Sequence, residues 1–260
     1  MDPRPEYSAL DNPELLQYIF YPRRCESRPP AGGEDFGIQV GNDASVTWRF
    51  HAHSQDSPSI LLFHGYGQVA SDYDSTAVWY RESGINLCVA DYRGYGSSTG
   101  RPTFSGTISD ARQILDSFQT VLASRGYTGK LFVMGQSLGS VCAIDVALGG
   151  AGRLSGLIVE GGFATWEALV HLMGFDRRSL GIGDLGFPNL TNIRAVKVPT
   201  LILHAEMDRL IPVEEAYSLY ESAGAADKRL VVIPGVDHHD SGTTGNELYL
   251  ASLREFVFSR

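Results

Sequence analysis

The 260-residue sequence predicts an α/β fold: a mostly parallel central sheet with helices on both faces. Two patterns predict it. Short unbroken apolar runs recur along the chain: Ile60-Leu61-Leu62-Phe63, Leu87-Cys88-Val89-Ala90, Leu131-Phe132-Val133-Met134, Leu157-Ile158-Val159, Leu201-Ile202-Leu203 and Leu230-Val231-Val232-Ile233. Runs without a polar alternate are what strands covered on both faces require. Between them lie longer segments with helical spacing, so the connections are right-handed crossovers and ligand chemistry should gather at the carboxyl ends of the strands.

Taken in order, residues 1–35 read as a lead-in. They hold a short helix over 13–20, then Tyr21-Pro22-Arg23-Arg24 and Pro29-Pro30-Ala31-Gly32-Gly33, whose prolines and glycines break regular structure. Residues 36–260 read as a single domain. Residues 36–40 and 46–50 flank Gly41-Asn42-Asp43 as a hairpin. Ala111, Ile114, Leu115, Phe118, Val121 and Leu122 form the clearest helical stripe. Pro212-Val213-Glu214-Glu215 opens another helix, with proline and acids in the first turn where the helix dipole favours them. An amphipathic helix over 248–258 closes the chain.

Composition narrows the function. Hydrophobic residues make up 43% and charged residues 20%, and no apolar stretch approaches the roughly 20 residues that span a bilayer. A formal charge of −9 argues against a nucleic-acid groove, which rewards clustered Lys and Arg. The opening residues lack a basic start followed by an apolar core, so the expected location is the cytoplasm, with Cys25, Cys88 and Cys142 as free thiols.

The chemistry starts at Gly135-Gln136-Ser137-Leu138-Gly139, which follows an apolar strand directly and precedes the helix-compatible Ser140-Val141-Cys142-Ala143-Ile144. That setting is a nucleophile elbow. A sharp strand-to-helix turn strains the backbone of Ser137, and glycines two residues to either side avoid a collision. A serine nucleophile needs a base, and the base needs a partner that fixes its tautomer. Asp208 lies just beyond the strand at 201–203, in His204-Ala205-Glu206-Met207-Asp208. The strand at 230–233 runs into Pro234-Gly235-Val236-Asp237-His238-His239-Asp240, and the inward side of the turn at Gly235 favours His238 as the base, although spacing alone leaves His239 open. Glu160, at another strand end, is the alternative acid. The oxyanion donors are the backbone N–H groups of Tyr66, in His64-Gly65-Tyr66-Gly67, and of Leu138, the residue after the nucleophile. His64 itself reads as structural.

Other chemistries lack their patterns. Adjacent residues such as His238 and His239 rarely converge on one ion, and neither zinc-type cysteine pairs nor H-E-x-x-H occur, so no metal is expected. The phosphate-cradling pattern G-x-x-x-x-G-K-[ST] is absent as well.

These motifs, together with Asp91-Tyr92-Arg93-Gly94-Tyr95-Gly96-Ser97-Ser98-Thr99-Gly100, resemble those of the α/β-hydrolase superfamily from about residue 36 onward. The resemblance implies the α/β-hydrolase fold with a small lid inserted at about 164–198. It favours His238 as the base, since the family's histidine follows a glycine by a few residues. It also implies that Asp91-Tyr92-Arg93-Gly94 shapes the sheet end rather than reacting. The short lid looks like that of the esterase-like and depalmitoylase-like branch. A helix over 165–173 would present Trp166, Leu169 and Met173 to an acyl substrate, and residues 174–189 read as irregular. The expected activity is hydrolysis of a small-molecule ester or thioester without a cofactor. Amide hydrolysis uses the same parts, and the fold can also serve as a non-catalytic ligand receptor.

Overall fold

Eight strands share one sheet, in the order β1-β2-β4-β3-β5-β6-β7-β8. They are β1 Gly33–Val40, β2 Ala44–His51, β3 Ser59–Phe63, β4 Asn86–Ala90, β5 Leu131–Gln136, β6 Gly156–Glu160, β7 Thr200–Ala205 and β8 Lys228–Ile233. A computed structural model describes residues 7–165, 188–240 and 247–260. The hairpin pair β1 and β2 runs antiparallel, and β2 meets β4 antiparallel. From β4 across to β8 every pairing is parallel.

Side chains alternate across a strand, so each apolar run divides between two cores. Leu61, Phe63, Val133, Leu157, Val159 and Ile202 face one side. Ile60, Leu62, Phe132, Met134, Ile158, Leu201 and Leu203 face the other. The first core is closed by α1 Pro13–Ile19, α3 Phe104–Ser124, α4 Ser140–Leu148, α5 Pro188–Ala195 and α6 Val213–Ser222. The second is closed by α2 Thr76–Glu82 and α7 Glu247–Phe258 through Ala77, Tyr80, Tyr249, Leu253, Phe256 and Val257. None of the helices among the described residues is long and apolar enough to cross a membrane.

Local chemistry sets the helix starts. Asn12 caps α1 by accepting from Glu14 N at 2.8 Å, with Pro13 in the first turn. Thr103 caps α3 by accepting from Gly106 N at 3.0 Å. Two findings depart from the sequence reading. Pro188 and Asn189, expected to lie in irregular chain, begin α5 and are buried. Residues of the lead-in, Leu10, Leu15, Ile19 and Phe20, are buried in the first core, with the Phe20 ring edge-on to Phe104.

Candidate active site

Four adjacent strands deliver the site. β5 ends at Gln136 and β6 at Glu160, and these two residues are partners in the parallel register. Ser137 and Gly161 are therefore the residues that directly follow a pair of partnered strand ends. Asp208 comes from the loop after β7, and His238 from the loop after β8.

Ser137 has φ +49°, the only non-glycine among the described residues in the left-handed region. Such a conformation costs roughly 1–3 kcal/mol and persists only where its surroundings enforce it. The flanking glycines do so. A Cβ on Gly135 would stand 2.4 Å from the Gly139 carbonyl oxygen, and one on Gly139 would stand 2.0 Å from the carbonyl oxygen of Phe63 on β3. The turn thus closes on itself and packs directly on the neighbouring strand.

Asp208 is buried and its carboxylate is fully engaged. Oδ1 accepts from Leu210 N at 2.9 Å and Ile211 N at 2.7 Å, while Oδ2 accepts from His238 Nδ1 at 2.6 Å. Because a carboxylate only accepts, Nδ1 carries the proton and His238 Nε2 presents its lone pair. The His238 ring stands over Gly161. A Cβ there would lie 3.2 Å from His238 Cε1 and 3.9 Å from Asp208 Oδ2, and the glycine has φ +52°. Among the described residues no hydrogen bond joins Ser137 Oγ to His238, a looseness common in unliganded serine sites. His239 is solvent-exposed and lies edge-on to the His238 ring at 5.4 Å, so the imidazole that reaches Asp208 is that of His238.

Two further groups brace this pair. His204 is buried beneath Asp208, 3.4 Å from Oδ2, and its Nε2 donates to the Ile211 carbonyl at 2.8 Å. Burial pushes its pKa down, which keeps it a neutral donor rather than a competing base. Arg209 and Asp237 clamp the two loops: Arg209 Nε donates to Asp237 Oδ2 at 2.8 Å, and the His238 N–H donates to Asp237 Oδ1 at 2.8 Å. The His238 N–H and the Arg209 guanidinium hold the Asp237 carboxyl down at about 2. Gly161 and this clamp escaped the sequence reading. The adjacent pair Gly161-Gly162 directly after a strand was the available signal.

On the other side of Ser137, a Cβ on Gly65 would lie 3.4 Å from Ser137 Cβ, so the His64-Gly65-Tyr66-Gly67 loop abuts Ser137. The Tyr66 N–H donates to no protein group among the described residues. Leu138 N opens a helical turn, where N–H groups lack an intrahelical partner. Gln68 Oε1 accepts from Gly65 N at 2.8 Å and from the Tyr73 hydroxyl at 3.0 Å. Tyr73 also reaches Gln136, whose Nε2 donates to Glu160 at 3.3 Å, and the Tyr249 hydroxyl donates to Glu160 at 3.1 Å. Glu160 is thereby held in a buried network behind the site. His64 is fully buried, with Nδ1 2.9 Å from the Gly65 carbonyl. Trp166, Leu169 and Met173 lie outside the described residues. No group of three or more His, Cys, Asp or Glu side chains placed to hold a metal ion occurs among the described residues.

The family model described as serine aminopeptidase, S33 (Hydrolase_4) matches residues 54–190 and 188–240, a span that includes Ser137, Asp208 and His238. The chain belongs to this α/β-hydrolase family. Similar proteins include an uncharacterized protein of Mycobacterium tuberculosis, 27% identical over 226 residues, covering 85% of this chain and 75% of that protein. Human protein ABHD12B is 30% identical to this hydrolase over 235 residues, covering 81% of this chain and 62% of its own. Among solved structures, the Pyrococcus furiosus esterase Pf2001 shares the fold with a TM-score of 0.71 at 16% identity, over 93% of this chain and 97% of the esterase.

Proposed function

We propose that this hydrolase cleaves a carboxylic ester or thioester through an acyl-enzyme on Ser137. The observation that carries the reading is the Asp208–His238 hydrogen bond, at 2.6 Å, standing over Gly161 beside the strained Ser137. His238 Nε2 takes the hydroxyl proton as Ser137 Oγ bonds to the substrate carbonyl carbon. The negative charge that develops on the carbonyl oxygen is met by the N–H groups of Tyr66 and Leu138. As the ester or thioester bond breaks, His238 returns the proton to the leaving alkoxide or thiolate. A water then gives its proton to Nε2, attacks the acyl-enzyme and releases the acid, with the proton passing back to Ser137. Asp208 holds the ring in the right tautomer and stabilises the imidazolium.

An esterase among the fold neighbours supports this choice of bond. The family's description as a serine aminopeptidase favours a second reading, amide cleavage by the same groups. No cofactor enters either scheme. Three free cysteines support the cytoplasm as its compartment. Turnover of p-nitrophenyl esters, the matching thioesters and p-nitroanilides by wild type and Ser137→Ala tests the proposal. Esters or thioesters should turn over fastest, and Ser137→Ala should lose about 10⁶ in kcat. A Ser137→Ala protein as active as wild type contradicts it.

A further inference from the structure

The N-terminal segment beyond α1 crosses the oxyanion loop. Cys25 N donates to the Gly96 carbonyl at 3.1 Å, Gly96 N donates to the Arg23 carbonyl at 2.9 Å, and Tyr21 N donates to the Tyr95 hydroxyl at 2.7 Å. The strap is thereby hydrogen-bonded to the sheet-end turn after β4. From it Arg23 Nε donates to the Gly67 carbonyl at 3.1 Å, and the guanidinium pairs with Asp72, whose Oδ2 accepts from Val69 N at 3.0 Å. The same loop is therefore held from its far side by chain that lies about forty residues earlier.

Tyr21 follows from that anchorage. Its ring centroid lies 6.1 Å from that of Tyr66, with the planes inclined by 32°. A Cβ on Gly67 would be 3.8 Å from Tyr21 Cδ1. Both residues are open to solvent, Tyr21 at 61% and Tyr66 at 49% exposure. Two large exposed aromatic residues, paired where Tyr66 stands between Gly65 and Gly67 and so close to Ser137, leave apolar area that a bound chain would remove from water. Arg23 is occupied by Asp72 and Gly67, so it offers no free cation to an anionic substrate.

We propose that Tyr21 and Tyr66 form one wall of the substrate site, contributed in part by the N-terminal strap, and that this wall takes an aliphatic acyl chain. The proposal rests on the serine-hydrolase reading of the same site. Tyr21 is then a specificity-determining residue and Arg23 a positioning residue.

Tyr21→Ala and Tyr21→Leu in the full chain test it, with p-nitrophenyl acetate and p-nitrophenyl decanoate as substrates. In Tyr21→Ala the ratio of kcat/KM for decanoate over acetate should fall about tenfold, through KM for decanoate. Tyr21→Leu restores an apolar side chain and should bring the ratio back to within about twofold of wild type. An unchanged ratio, or equal losses on both esters, overturns the wall. A second arm separates this from failure of the hydrolase reading: decanoate is titrated onto Ser137→Ala, with and without Tyr21→Ala, by intrinsic fluorescence. Weaker decanoate binding on loss of Tyr21 supports the wall even if no ester is turned over. An unchanged or absent decanoate affinity overturns it.

Discussion

Ser137 and Gly161 directly follow the ends of neighbouring strands and solve the same problem in opposite ways. Ser137 keeps its side chain in a conformation that L-residues avoid, because the hydroxyl must point up from the turn. Gly161 gives up its side chain so that the His238 ring can lie across it. Gly161→Ala should therefore leave Ser137 in place yet push the imidazole aside. A misplacement of about 1 Å costs on the order of 10²-fold in rate, so ester turnover should fall by about that factor with the fold retained by circular dichroism. Wild-type kcat in this variant would contradict the placement of His238. Asp208→Asn should cost more, about 10⁴ in kcat, because an amide can hold the wrong tautomer of His238. The two kinds of glycine also explain what could be read from residues alone. Gly135 and Gly139 are required by a turn encoded within five consecutive positions, whereas Gly161 is required by a ring 77 positions later in the chain, and its one local trace is the glycine pair directly after a strand.

At the level of elements, the ion pair between α3 and α4 joins the layer behind Ser137. Arg112 Nε and Nη2 donate to Asp145 at 2.7 and 2.8 Å, and the Tyr7 hydroxyl donates to the same carboxylate at 3.0 Å. Asp145 is fully buried, and Asn192 on α5 donates to the Tyr7 hydroxyl at 2.8 Å. Arg112→Ala would strand a buried charge. The penalty should be about 3 kcal/mol, the low end of the range for broken buried pairs, because Arg112 remains partly exposed. Urea denaturation measures it, and a change below about 0.5 kcal/mol would contradict the pair's role. This cluster shows why strands were easier to read than α5. Parallel strands announce themselves by unbroken apolar runs, but α5 is anchored by Asn189, which donates to the Phe163 carbonyl at 2.7 Å, and by Asn192. Polar anchors of that kind look like loop residues in a sequence. The buried Leu15, Ile19 and Phe20 were equally hard to place, since they join a core whose other members lie far along the chain, as Phe104 does from Phe20.

For the whole molecule, pH acts through groups that the fold has shut away from water. His51, at the end of β2, is buried, and burial first, then the charges of Arg49 and Arg81, push its imidazole down to about 4, against a smaller opposing pull from Asp35. The unfolded chain takes up this proton near pH 6.5, while the folded protein refuses it until about pH 4. The contribution of His51 is thus fully present above pH 6.5 and is lost as pH falls toward 4, amounting to about 3 kcal/mol. His51→Gln should flatten the fall in urea midpoint between pH 7.5 and 4.5 relative to wild type. An unchanged slope would show that His51 is protonated in the folded state over this range. The candidate site lies beyond the carboxyl ends of four adjacent strands of the same buried sheet.

The most direct test of that site is covalent. Wild type and Ser137→Ala are treated with a fluorophosphonate, and the adduct is located by peptide mass spectrometry. The account predicts one adduct per chain, on the peptide carrying Ser137, and none in Ser137→Ala. Absence of labelling in wild type, or an equal adduct on another residue in Ser137→Ala, would contradict it.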